Sequence, residues 1–411
     1  MGQELSTPNS ERLSIVIAGL TNAGKSSLIN AFFQKDVAIV SSQSGTTTDP
    51  VTRKIELGPL GPCSITDTAG ISDTSPLGQK RLEKSRERIS KADLVLFVTA
   101  KNQEVQQSEK ELLAFLRQKK IPFIGVITFC PEGSPLPEAK SGLFQKDKFI
   151  ALDLKSPEEE LKGKISDLMT LIESQTDSIK KELTPVQGIV KDGSTVILVT
   201  PIDKAAPKGR LILPQVETIR DLLDRKCSAL ITTTENLPVL YDSLKKRPDL
   251  VITDSQAFKE VAGALPPDQS LTSFSILFAR KKGDFSYFLK SLSALKDFPK
   301  DGKILIMEAC SHHRQDDDIG SVKIPNLLKK KFGEGITISH TKEPDHSISG
   351  FNLVIHCGAC MLSRKAMLDR MEIFKKEGVP VLNYGLFLAW ANGLFPRATD
   401  CLPQSEISEE S

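Results

Sequence analysis

Two groups of residues in this chain of 411 have the types and spacing to do chemistry. The first is Gly19-Leu20-Thr21-Asn22-Ala23-Gly24-Lys25-Ser26, which follows the apolar run Leu13 to Leu20 and opens a helical pattern from Lys25 to Phe33. At such a strand-to-helix turn, successive backbone N–H groups and the helix N-terminus favour phosphate oxygens. Lys25 neutralises β and γ charge, and Ser26 offers a hydroxyl to magnesium. The second group is sulfur and imidazole. Cys310-Ser311-His312 follows the apolar stretch Lys303 to Met307, and His356-Cys357-Gly358-Ala359-Cys360 follows Phe351 to Ile355. Thiolates suit iron–sulfur clusters and zinc alike, so the donor set alone leaves iron–sulfur, zinc and no metal open.

Two further segments extend the phosphate site. Gly45-Thr46-Thr47-Thr48-Asp49 is placed like a switch I threonine for magnesium, and Asp67-Thr68-Ala69-Gly70 like the Asp-x-x-Gly of switch II. With the P-loop they resemble the GTPase branch of P-loop proteins. The expected nucleotide contacts are Gly19, Asn22, Ala23, Gly24, Lys25, Ser26, Ser27, Thr46, Thr47 and Asp67. Magnesium is expected on Ser26 and Thr47, and Lys25, Thr47, Asp67 and Gly70 are the expected catalytic set. Ile71 stands where several GTPases carry a water-orienting glutamine, so slow hydrolysis is expected. Asn22 resembles the asparagine that ligates potassium in cation-activated GTPases, and a loop-capping role fits it equally. The guanine end departs from the pattern: Thr128-Phe129-Cys130-Pro131 stands where GTPases place Asn-Lys-x-Asp. Two ring donors left unpaired in a pocket cost about 1–3 kcal/mol each. Preference for GTP over ATP is therefore expected to be weak unless another residue substitutes.

The elements that must hold these groups alternate strand and helix. Strands are expected at Leu13 to Leu20, Leu94 to Val98, Phe123 to Ile127 and Phe149 to Leu152, with helices between them, a doubly wound pattern. A second set follows Thr184-Pro185, with strands Thr195 to Val199, Ala229 to Thr232 and Leu250 to Thr253. Beyond Pro266-Pro267, which reads as a hinge, come strands Lys303 to Met307, Ile336 to His340, Phe351 to His356 and Val379 to Leu382. The fold class is α/β: three α/β domains at 1–175, 180–265 and 266–411, the first a P-loop GTPase-like doubly wound sheet. In a parallel sheet, Cys310 and Cys357–Cys360 leave from the same carboxyl edge, where ligand sites gather.

Composition limits the partners. With 39% hydrophobic and 26% charged residues and a net charge of +2, nothing points to nucleic acid or an acidic membrane surface. No stretch approaches the roughly 20 apolar residues of a membrane helix, and the polar N-terminus does not resemble a secretion signal, so a cytoplasmic location is expected. An odd cysteine count, seven, then favours metal ligation over disulfides.

Taken together, GLTNAGKSSLIN, GTTTDPV, DTAG, PIDKAAPKGRLILPQ, PDLVITDSQ, LTSFSILFARKKGDF, EACSHHRQDDDIGSVKIP, HCGAC and NYG resemble the FeFe-hydrogenase maturation GTPases, the HydF family, over nearly the whole length. The family pattern Cys-x-His then His-Cys-x-x-Cys is met by Cys310, His312, His356, Cys357 and Cys360. The resemblance implies an N-terminal GTPase, a central dimerisation domain and a C-terminal cluster domain. It implies a 4Fe-4S cluster on the three cysteines with an exchangeable fourth ligand. It also implies a scaffold or carrier: a diiron H-cluster precursor arrives from two radical S-adenosylmethionine maturases and is delivered to apo FeFe-hydrogenase. A homodimer is expected, with pairing into tetramers open. The competing expectations are a GTPase acting on RNA or ribosomes and a zinc-stabilised protein.

Overall fold

The computed structural model describes residues 12–33, 52–57, 61–68, 85–144, 147–175, 183–201, 211–309, 318–342, 348–360 and 362–403. Thr46, Thr47, Gly70, Cys310 and His312 lie outside these residues. The chain divides into two compact units, Met1–Lys181 and Glu182–Ser411.

The first unit is built on a six-stranded sheet ordered β2-β3-β1-β4-β5-β6. Its strands are β1 (Leu13–Gly19), β2 (Thr52–Leu57), β3 (Gly61–Asp67), β4 (Leu94–Ala100), β5 (Phe123–Thr128) and β6 (Phe149–Ala151). All seven residues of β4, LVLFVTA, are buried, as a parallel strand covered on both faces requires. Helices Lys25–Phe33 and Glu158–Glu173 close one face around Leu28, Phe32, Ile165 and Leu168. Helix Gln107–Gln118 closes the other around Phe97, Leu113 and Leu116. The antiparallel pair β2–β3, registered from Thr52↔Thr66 to Leu57↔Gly61, goes beyond the sequence expectation. β2 is the sheet's edge and four of its six residues are polar, so it carries no long apolar run.

The second unit holds two four-stranded sheets, both all-parallel. One is ordered β10-β9-β7-β8, from β7 (Thr195–Val199), β8 (Ser228–Thr232), β9 (Leu250–Thr253) and β10 (Leu271–Ser273). The other is ordered β12-β11-β13-β14, from β11 (Lys303–Met307), β12 (Thr337–Thr341), β13 (Leu353–His356) and β14 (Val381–Asn383). After Pro266-Pro267 the chain returns to the first of these sheets, pairing Leu271 with Val251. A single hydrophobic core runs from Val186 to Leu402 through both.

Helix Phe274–Lys282 leaves directly from β10, its N-terminus capped by Ser273, and packs on helices Arg364–Lys376 and Tyr384–Ala391 of the other sheet. Eight of its nine residues are buried, including all three cations of its last turn. An all-round buried helix has no amphipathic stripe to betray it. FSILFARKK accordingly carries no helical periodicity of apolar and polar residues.

In two of the sheets the strand order reverses beside a segment of interest. β1 lies between β3 and β4, and β11 between β12 and β13, so the P-loop leaves at one topological switch point and the Cys357–Cys360 turn leaves β13 beside another.

Candidate nucleotide and metal sites

The P-loop turns where β1 passes β4. A Cβ on Gly19 would lie 2.0 Å from the Val98 carbonyl oxygen, so only glycine permits this approach. Asn22, exposed, holds φ 60°, a left-handed turn that asparagine tolerates better than most residues. Ala23 is fully buried beneath it. Lys25 folds back over the loop, its Nζ donating to the carbonyls of Gly19 (3.1 Å) and Leu20 (2.7 Å). Burial pulls its pKa down, and the Asp67 carboxylate partly offsets this. Ser26 and Ser27 are exposed on the first helical turn.

Ser26 Oγ donates to Asp67 Oδ2 at 2.9 Å, whereas Asp67 Oδ1 is buried with no hydrogen-bond partner. Burial raises the pKa of this carboxyl, against the opposing pull of Ser26, Lys25 and the Thr68 N–H. An orphaned buried carboxylate oxygen beside a hydroxyl fits a hard cation, which takes oxygen ligands of this type. Ser26 and Asp67 thus suit magnesium, and the switch I residue Thr47 lies outside the described residues.

At the base end, Thr128 is fully buried and its Oγ1 donates to the Ala23 carbonyl at 2.7 Å. The last residue of β5 therefore tethers the P-loop. Phe129 then takes φ 55°, and the Cys130 N–H donates to the Leu152 carbonyl. The Thr128 tether was not read from the sequence; a hydroxyl ending a buried strand opposite a glycine loop was the available signal. A second unread group lies behind it. Thr99 Oγ1 donates to Glu109 Oε1 (2.5 Å) and accepts from Lys140 Nζ (2.6 Å), with Lys140 Nζ 3.7 Å from Glu109 Oε1. All three are at most 2% exposed.

In the second unit, the register places Met307 beside His356. The Cys357 N–H continues the ladder to the Met307 carbonyl at 2.9 Å, and the Ala309 N–H donates to Cys357 Sγ at 3.2 Å. Ala359, 2% exposed, holds φ 51° within the Cys357–Cys360 turn. A non-glycine residue there costs of order 1–3 kcal/mol and persists only where the surroundings impose it.

His356 is fully buried, with Nδ1 2.8 Å from the Cys357 carbonyl and Nε2 3.2 Å from the Arg370 guanidinium. A carbonyl only accepts, so Nδ1 carries the proton and Nε2 accepts from Arg370. Both ring nitrogens are engaged within the protein, and a ligand role would require breaking one of these bonds. Nearby, a Cβ on Gly320 would lie 2.0 Å from Glu308 Oε1 and 2.5 Å from Tyr384 Oη. Tyr384 donates to Glu308 Oε1 at 3.3 Å. Burial, then the charges of Cys357, Glu308 and Asp318, hold this phenol far above its ordinary pKa, so it stays a donor.

Among the described residues no three His, Cys, Asp or Glu side chains gather as a metal site. Cys357 and Cys360 are described, and Cys310 and His312 are outside. The donor set nonetheless fits an iron–sulfur cluster: two thiols three apart on a constrained turn, with an N–H already aimed at one sulfur.

Family models match three consecutive stretches of the chain. A 50S ribosome-binding GTPase model covers residues 14–129, a Hydrogen maturase F dimerization domain residues 186–283, and a Hydrogen maturase F tetramerization domain residues 286–401. The chain belongs to the hydrogen maturase F family. As a member of that family it carries a GTPase domain followed by dimerisation and tetramerisation domains.

Other proteins resemble this hydrogen maturase F chain over part of its length. The tRNA modification GTPase MnmE of Bradyrhizobium sp. is 37% identical over 147 residues, 34% of this chain and 33% of the relative. That of Brucella suis is 48% identical over 85 residues, 20% and 19% respectively. The chain thus spans a third or less of the length of these curated relatives. Among solved structures, the G domain of the T. maritima FeoB iron transporter aligns at 24% identity and TM-score 0.28, over 38% of this chain and 98% of that one. Aquifex aeolicus Era bound to GDP.AlF4- aligns at 16% identity and TM-score 0.32, over 54% and 92%. No helix of the described residues is long and apolar enough to cross a membrane.

Proposed function

We propose that this chain is a nucleotide-switched scaffold of FeFe-hydrogenase maturation, holding a 4Fe-4S cluster and carrying a diiron H-cluster precursor to apo-hydrogenase. The observation that carries it is the Met307–His356 register, with the Ala309 N–H on Cys357 Sγ. It brings the segment leading into Cys310 against the turn bearing Cys357 and Cys360 at a switch point of the sheet. Cys310, Cys357 and Cys360 would hold the cluster, with His312 and His356 beside them. Three thiolates leave one iron with an exchangeable position, which is the chemistry a carrier of a bridging diiron cargo needs. Arg370 and the Cys357 carbonyl keep the His356 ring oriented, and Tyr384 keeps its proton while donating to Glu308.

At the other end, GTP and magnesium bind the P-loop. Lys25 turns from the Gly19 and Leu20 carbonyls to the phosphates, and Ser26, Thr47 and Asp67 hold the cation. Hydrolysis is slow because Ile71 cannot orient water, and potassium at Asn22 would add positive charge. Loss of the γ-phosphate changes switch contacts and, through them, the affinity for the two radical S-adenosylmethionine maturases or the hydrogenase. The chain acts in the cytoplasm as a homodimer that can pair into a tetramer.

The test is maturation of apo-hydrogenase in vitro with anaerobically purified protein and both maturases. Brown protein containing iron and sulfide that activates the hydrogenase supports the assignment. Colourless protein containing zinc overturns it. Nucleotide competition of GTP with ATP, in potassium and then sodium, tests the switch: equal competition is expected from Thr128 to Pro131.

A further inference from the structure

Helix Phe274–Lys282 ends in three successive cations, Arg280, Lys281 and Lys282, which are 3%, 6% and 1% exposed. Removing a cation from water is unfavourable unless polar groups replace the water. Lys281 finds a carboxylate, Glu217 Oε2 at 2.5 Å. Lys282 reaches in another direction. Its Nζ donates to the main-chain carbonyls of Cys360 (3.1 Å) and Leu362 (2.9 Å), and lies 5.7 Å from the centroid of the Phe278 ring. Both acceptors belong to the end of the cysteine turn, next to Ala359 with its left-handed φ of 51°. The same helix borders the turn at its other end too. A Cβ on Gly358 would sit 3.6 Å from Ser275 Oγ, which is itself 3.2 Å from Asn383 Oδ1. The helix thus lines the turn at Gly358 and at Cys360 and Leu362, with the Lys282 Nζ fixed at the Cys360 end.

We infer that Lys282 is a positioning residue for the cluster: it locks the carbonyls that set the Cys360 side of the turn and places a buried cationic side chain against the turn that carries Cys357 and Cys360. It rests on the cluster assignment above. A thiolate-bound iron–sulfur cluster is anionic and becomes more so on reduction. A nearby fixed cation therefore stabilises the reduced state and raises the reduction potential, strongly in a site away from water. Arginine would keep the charge. Glutamine would keep a donor for the carbonyls without it, and methionine would keep neither.

The experiment is a potentiometric titration, followed by visible absorption and electron paramagnetic resonance, of the full chain reconstituted anaerobically with iron and sulfide. Wild type is compared with Lys282→Arg, Lys282→Gln and Lys282→Met. Lys282→Gln should be reduced at a more negative potential than wild type at equal iron content, Lys282→Arg should stay near wild type, and Lys282→Met should shift and also lose iron faster to a chelator. A glutamine variant with full iron and sulfide and the wild-type potential overturns the inference, whether or not the methionine variant folds. Wild-type protein that takes up no iron and sulfide instead overturns the cluster assignment itself, so the two failures are distinguishable.

Discussion

The backbone N–H of Ala309 donates to the sulfur of Cys357 at 3.2 Å, joining residues 48 apart in sequence. An N–H aimed at a sulfur stabilises its thiolate, the form that binds iron. Ala309 is the last described residue after β11, so this one bond ties the end of β11 to the turn bearing Cys357 and Cys360.

Replacing Cys357 should therefore separate the two ends of the molecule. Cys357→Ala should lose the iron and sulfide bound after reconstitution and abolish maturation, while GTP hydrolysis at the P-loop continues. Iron assay, visible absorption and phosphate release measured on one preparation check this. Full maturation by the variant would remove the cluster role.

Thr128 tests the tether of the phosphate loop. Thr128→Val leaves the buried Ala23 carbonyl without its donor, a loss of about 1–3 kcal/mol. Affinity should fall about five- to 150-fold. Because the bond acts on the loop and not on the base, GTP and ATP should weaken alike. Titration calorimetry reads this directly, and unchanged affinity would mean that the loop holds itself.

The buried trio of Thr99, Glu109 and Lys140 predicts a stability effect away from the nucleotide. Burial pulls the Lys140 pKa down, and the Glu109 carboxylate opposes that pull. Glu109→Ala strands the ammonium and should destabilise the GTPase domain by about 3–5 kcal/mol. Adding Lys140→Met should recover part of the loss, because it removes the stranded charge. Thermal melts of the single and double variants measure both.

Asp284 predicts acid sensitivity in the second unit. Burial alone would raise its pKa, but Lys375 Nζ at 2.8 Å and the Tyr287 N–H lower it below the ordinary 3.8. A depressed carboxyl contributes stability that is present above pH 3.8 and lost as pH falls through the folded-state value. Asp284→Asn keeps an amide cap for the helix Phe285–Ser291 and removes only the charge. Both partners are about a third exposed, so the loss should be about 0.5–1 kcal/mol near neutrality, shrinking toward acid. Denaturant melts at pH 7 and pH 3 would show it; equal losses at both would assign the effect to packing.

The strand and helix alternation is legible in the residues alone, because parallel strands buried on both faces must be apolar throughout, as LVLFVTA is. The candidate groups were legible there too, since a glycine-rich turn before lysine and serine, and thiols spaced three apart, are properties of residue type and local spacing. What charged and polar residues do when they leave water depends on partners that the folded chain brings from far away. Thr128 reaches Ala23 across 105 residues, and Lys282 reaches Cys360 across 78. In a sequence a lysine reads as surface, because its charge favours water. Its burial here depends on carbonyls brought to it by a different sheet. The same holds at the bond between Ala309 and Cys357: both cysteine motifs are visible in the residues, but the contact of the end of β11 with the Cys357 turn depends on β11 and β13 being neighbours, a pairing that no local pattern encodes.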